Sequence, residues 1–111
     1  MFGIHVAHGE GFLDFPDQAI RRQVLAQNLA PLCYVDDQGQ PTTAYPFNPN
    51  GSHGGLTGLC TPDGRHLALM PHPERTFLKW QAHWLPEAMK KDLAASPWLM
   101  MFQNAYEWCV R

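Results

Sequence analysis

Prolines at positions 71 and 73 enclose a single histidine in the stretch MPHPERTF, Met70 to Phe77, directly after the apolar run HLAL. Each proline fixes its own φ and pushes the residue before it towards extended geometry, so the backbone around His72 is stiff. In an extended segment residues two apart project to the same side, which lets Glu74 approach His72 and orient one ring nitrogen by a hydrogen bond. The other nitrogen is then free to take a proton. By itself this His-Pro-Glu tripeptide fits two readings: a rigid surface turn, or the base and orienter of a catalytic triad whose nucleophile lies elsewhere. A strand end with a sharp exit is where α/β enzymes present catalytic groups.

The rest of the chain is punctuated in the same way. Ten prolines and 9 glycines in 111 residues demand many turns, and the length allows at most one small domain, below the size of a complete α/β enzyme. GIHVA reads as a short strand entering the loop HGEG. In PDQAIRRQVLAQNLA, Asp17 is a natural N-cap and Ile20, Val24 and Leu25 recur at helical spacing until Pro31. LCYV and TTAY flank DDQGQ as a first hairpin, and LTGLCT and RHLALM flank PDG as a second that delivers its last strand into PHPE. Between them YPFNPNGSHGG is a loop, in which Asn side chains close local turns and Asn50-Gly51 tolerates positive φ. Phe77 to Ala95 reads as irregular, partly buried packing around Trp80, Trp84 and Pro86. Ser96 then caps a terminal amphipathic helix with Pro97 at its first position and Trp98, Phe102, Ala105 and Cys109 on one face.

Charge and cysteine usage exclude several functions. The formal net charge is -2 and the 8 Lys and Arg residues are scattered, which argues against a nucleic-acid partner. Cys33, Cys60 and Cys109 are an odd set without CxxC spacing, encoding neither a disulfide framework nor a thiolate zinc site and fitting a reducing, cytoplasmic compartment. No segment approaches the length of a membrane span, and MFGIHVAHGEG lacks the basic start of a signal peptide. His5, His53, His66 and His83 have no partners at metal-ligand spacing, so no metal is expected. VAHGEG fits a charged turn equally well as a small-substrate contact, with His8 and Glu10 supplying polar groups and Gly9 and Gly11 permitting close backbone approach.

Four segments in one order, VAHGEG, YPFNPNGS, DGRHLALMPHPER and SPWLMMFQNA, resemble the C-terminal end of the phosphoribosylformylglycinamidine synthase family, and the likeness covers essentially the whole chain. The His-x-Glu after a strand is shared more widely by class I glutamine amidotransferases. The resemblance implies an α/β fold, the flavodoxin-like glutaminase domain, with roughly its second half represented here as a partial sheet with flanking helices. It implies His72 and Glu74 as the catalytic His and Glu, and His8 and Glu10 as candidates for the glutamine pocket. In that family a cysteine on a strand-turn-helix elbow attacks glutamine, forms a thioester and releases ammonia for the ATP-dependent synthesis of formylglycinamidine ribonucleotide. The elbow lies upstream of everything in this chain, so the expected partner is the remainder of the synthase, covalently linked or in trans. Cys33, Cys60 and Cys109 all lack the elbow context, and Phe12 stands where family members often carry a polar residue. No cofactor is expected in this chain; ATP and magnesium belong to the family's other domains. An alternative is a catalytically inactive, stand-alone binding or regulatory module that docks on other purine-biosynthesis proteins.

Overall fold

The computed structural model describes all residues from Met1 to Arg111. They divide into two units, His8–Met70 and a second made of Met1–Ala7 with Pro71–Arg111.

In His8–Met70 the helix α1 spans Gln18–Ala26, and the Asp17 carboxylate caps it by accepting the Ala19 N–H at 2.7 Å. The helix stops ahead of Pro31 because Asn28 turns into the left-handed region at φ 55°. The PDG turn forms as its residues dictate. Gly64 N–H donates to the Thr61 carbonyl at 2.8 Å, and the Asp63 carboxylate accepts the Thr61 hydroxyl at 2.5 Å and the Arg65 N–H at 3.1 Å. Those two donors, the hydroxyl first, hold the Asp63 carboxyl below its ordinary value. The turn joins β1 (Gly58–Cys60) to β2 (Leu67–Leu69), an antiparallel pair with Leu59 opposite Ala68. This is the one sheet of the chain.

The first hairpin is a correction. Its turn exists, with Asp36 accepting from Gln38 and Gln40 N–H at 2.9 and 3.0 Å, but the flanks share only the isolated bridge Val35↔Pro41. Pro41 has no N–H to extend a ladder, and Cys33 bridges to Leu56 instead. Tyr34 and Leu56 are the buried hydrophobics of this unit. Gly55 is required beside them: at φ 71° it lies where a Cβ would come within 2.6 Å of the Tyr34 carbonyl oxygen.

The loop between the hairpins is tightly hydrogen-bonded. Asn48 donates to the carbonyls of Thr42 and Ser52 at 2.8 and 2.9 Å and accepts the Ser52 N–H at 3.0 Å. The Ser52 hydroxyl accepts the Leu13 N–H at 3.1 Å, tying the loop to the segment after HGEG.

In the other unit the segment GIHVA forms one antiparallel bridge, His5↔His72, rather than a strand. Short 3-10 turns at Pro73–Arg75 and Lys79–Gln81 follow, then α2 (Glu87–Lys90) and α3 (Leu99–Val110). Ser96 caps in advance of the assigned helix: its hydroxyl accepts the Trp98 N–H at 3.4 Å and its carbonyl the Leu99 N–H at 3.0 Å. Trp98 packs as expected, with its indole N–H on the Gly3 carbonyl at 2.8 Å and its ring 6.3 Å from that of Phe2. The rest of the apolar face is uncovered: Phe102, Ala105 and Cys109 are exposed, and no residue of α3 is buried.

Candidate active site

His72 leaves the bridge at φ −113°, ψ 82° as the residue before the turn Pro73–Arg75. Glu74 therefore reaches the imidazole from within a 3-10 turn, and not across an extended segment as the two-residue periodicity suggested. The turn is built by its sequence. Pro73 suits a first helical position, and the hydroxyl of fully buried Thr76 donates to the carbonyls of His72 and Pro73 at 3.2 and 3.3 Å. The result is a distance of 2.5 Å between His72 Nδ1 and Glu74 Oε1.

An ionised carboxylate can only accept, so Nδ1 carries the hydrogen and Nε2 keeps its lone pair. The hydrogen bond from His72 is the main reason the Glu74 carboxyl sits below its ordinary value; its own backbone N–H and the nearby His72 and Arg75 charges add to this. Arg75 Nε lies 4.0 Å from the same oxygen. With side-chain exposures of 33% for His72 and 54% for Glu74, the pair is open to an incoming group. A histidine held in this way is able to act as an oriented general base.

Two residues that spacing set aside belong to this neighbourhood. His5 accepts the His72 N–H on its carbonyl at 2.8 Å, and its ring lies 3.7 Å from that of His83, measured between centroids. No local pattern links residues so far apart in sequence.

His8 and Glu10 fall in the other unit. His8 Nδ1 lies 2.9 Å from the Asn50 amide nitrogen, which also donates to the Gly11 carbonyl at 2.8 Å. The amide hydrogen makes Nδ1 an acceptor, leaving Nε2–H as a buried donor without a protein partner. Gly11 packs closely here: a Cβ would come within 2.7 Å of Met70 Cε and 2.8 Å of His8 Nδ1. Glu10 is exposed. Asn50 is thus the residue of NPNGS that touches the HGEG segment, a contact the turn chemistry of Asn-Gly did not reveal. Phe12 is half-exposed and meets the His53 ring edge-on at 6.2 Å.

The three cysteines are free. Cys33 sits in the bridge to Leu56, Cys60 ends β1 before the Thr61 turn, and Cys109 lies near the end of α3, so none stands between a strand and a following helix. No group of three or more His, Cys, Asp or Glu is placed to hold a metal ion, and no helix is long and apolar enough to cross a membrane.

Residues 1–109 match the family of the CobB/CobQ-like glutamine amidotransferase domain. The chain belongs to this glutamine amidotransferase family. As an amidotransferase chain it is similar to curated synthases from distant organisms. It is 55% identical over 107 residues to the probable phosphoribosylformylglycinamidine synthase, chloroplastic/mitochondrial, of Arabidopsis thaliana, with 96% of this chain covered. Identity to the phosphoribosylformylglycinamidine synthase of Homo sapiens is 52% over 102 residues and 92% of the chain, and to that of Dictyostelium discoideum 48% over 113 residues and 98%. The chain spans 8% of the length of each of these relatives.

Proposed function

We infer that this chain is the C-terminal part of the glutaminase domain of a phosphoribosylformylglycinamidine synthase, supplying ammonia for the ATP-dependent amidation step of purine biosynthesis. The observation that carries the reading is the His72–Glu74 pair at 2.5 Å with Nε2 open, in a chain of the amidotransferase family. His72 Nε2 takes the proton of a cysteine thiol, and the thiolate attacks the glutamine side-chain carbonyl. The protonated imidazole, stabilised by Glu74, returns the proton to the departing nitrogen, so that ammonia leaves and a thioester remains. Water hydrolyses the thioester with the same base.

The cysteine belongs to the part of the flavodoxin-like domain that precedes this chain, in keeping with the placement of Cys33, Cys60 and Cys109 away from any strand-to-helix turn. His8, with its buried Nε2–H, and Glu10 are assigned to the glutamine pocket. The remainder of the synthase is the partner that covers the exposed apolar side chains, among them Trp80 at 80% and Met100 at 61% exposure. ATP and magnesium are used by its other domains. Three free thiols suit a reducing, cytoplasmic setting.

In the full-length protein His72→Ala lowers glutamine-dependent synthesis by at least about 10⁴-fold and leaves ammonia-dependent synthesis intact. Loss of both activities would remove His72 from the glutaminase site. A second reading, a non-catalytic module docking on other purine enzymes, draws on the same cysteine placement. It requires the free chain to be folded and to capture one specific partner.

A further inference from the structure

His5 and His83 meet ring to ring, with centroids 3.7 Å apart and planes inclined by 63°. His5 is also the only bridge partner of His72, and its carbonyl accepts the His72 N–H at 2.8 Å. The bridge is isolated, so His5 is the one residue that pairs with His72 across it, and the Gly3 N–H on the Trp84 carbonyl at 3.2 Å ties the same segment to the neighbour of His83. The His83 ring lies against the His5 ring, and the charges that act on the His5 imidazole are those of His83, Arg75 and His72, the last engaged with Glu74, with the Gln81 backbone acting in the opposite sense. Gln81 ends the 3-10 turn Lys79–Gln81, two residues before His83.

Two imidazole rings this close are compatible while at least one is neutral and repel when both are charged. We propose that the His5–His83 pair is a positioning device for His72, seating the bridge while one ring is neutral and releasing it when both are protonated. The proposal rests on the reading of His72 as the glutaminase base. Burial first, then the His83, Arg75 and His72 charges, hold the His5 imidazole below its ordinary 6.5, with the Gln81 hydrogen bond opposing them. The opened arrangement therefore binds more protons than the closed one. By linkage the bridge is at full strength above 6.5 and is lost as the pH falls below that value towards the lowered one.

The test uses the full-length protein, with wild type compared to His5→Phe and His83→Phe, which keep an aromatic ring and remove one titrating group. Hydrogen exchange of the peptide containing His72, corrected for intrinsic rates, is followed from about pH 8 to pH 5. Wild type is expected to lose protection about tenfold over this range and the variants to hold it level. In parallel, kcat for glutamine hydrolysis falls more steeply on the acid side in wild type than in the variants, KM being unchanged. Protection that falls alike in all three proteins overturns the proposal. Where a phenylalanine variant does not fold, His83→Gln takes its place. If protection behaves as expected while His72→Ala still hydrolyses glutamine, the device stands as a positioner of residue 72 and the assignment of the base fails.

Discussion

Asn48, at 1% exposure, commits its side chain to three hydrogen bonds within its own loop, whereas His72 makes one side-chain hydrogen bond, to Glu74, and leaves Nε2 open. Both sit in segments rich in proline, and both are fixed, but by different means. The Asn48 loop is rigid because buried polar groups must be paired, so each partner that is lost leaves another unsatisfied. The His72 turn is rigid because Pro71 and Pro73 restrict the backbone and Thr76 ties the turn from beneath. Only the second arrangement leaves a reactive atom unengaged while holding it still.

The comparison is broken most directly at Glu74. Glu74→Gln keeps an acceptor for the His72 Nδ1–H and removes the charge, and glutamine hydrolysis is expected to fall roughly 10²- to 10³-fold in kcat with little change in KM. The native carboxyl is held below 4.5, so its contribution to the turn is complete above that value and is lost as the pH falls through the lowered one. Hydrogen exchange of the turn against pH reads this, and the Gln variant should show no such acid transition. An equally strong transition in the variant would place the titrating group elsewhere.

Asn48→Ala comes next, and acts on stability alone. With three hydrogen bonds removed and carbonyls of Thr42 and Ser52 left short of donors, local opening of residues 42 to 52 should become easier by about 3 kcal/mol. Ammonia-dependent synthesis measures whether that damage stays local. The smallest effect is expected at Thr76→Val, which preserves shape and deletes one hydroxyl whose acceptors keep the Arg75 and Thr76 N–H bonds. A loss of about 1 kcal/mol in the protection of the turn is expected. A much larger loss would mean that the hydroxyl, and not the prolines, dominates its rigidity.

What could be read from the sequence was local. Asp17 as a cap, the Thr61–Gly64 turn and the adjacency of His72 and Glu74 all depend on residues within a few positions of each other, where backbone chemistry decides the outcome. The failures concern distance or environment. Cys33 takes Leu56 as its bridge partner, Asn50 takes His8, and His5 takes His83, contacts that no short-range pattern encodes. The apolar periodicity of α3 was real, but periodicity states which residues share a face and not whether anything covers it; Phe102 and Cys109 face solvent.

The division of the chain also has a consequence for the order in which it is made. Met1–Ala7 joins Pro71–Arg111 in one unit, so the His5↔His72 bridge closes a loop that contains all of His8–Met70. Loop closure on that scale is paid for in entropy and is slow compared with the turns inside it. During synthesis the residues of His8–Met70 emerge as a complete set while the partner of His5 has yet to leave the ribosome. The Asn48 loop can mature early, and the seat of His72 is among the last contacts to form.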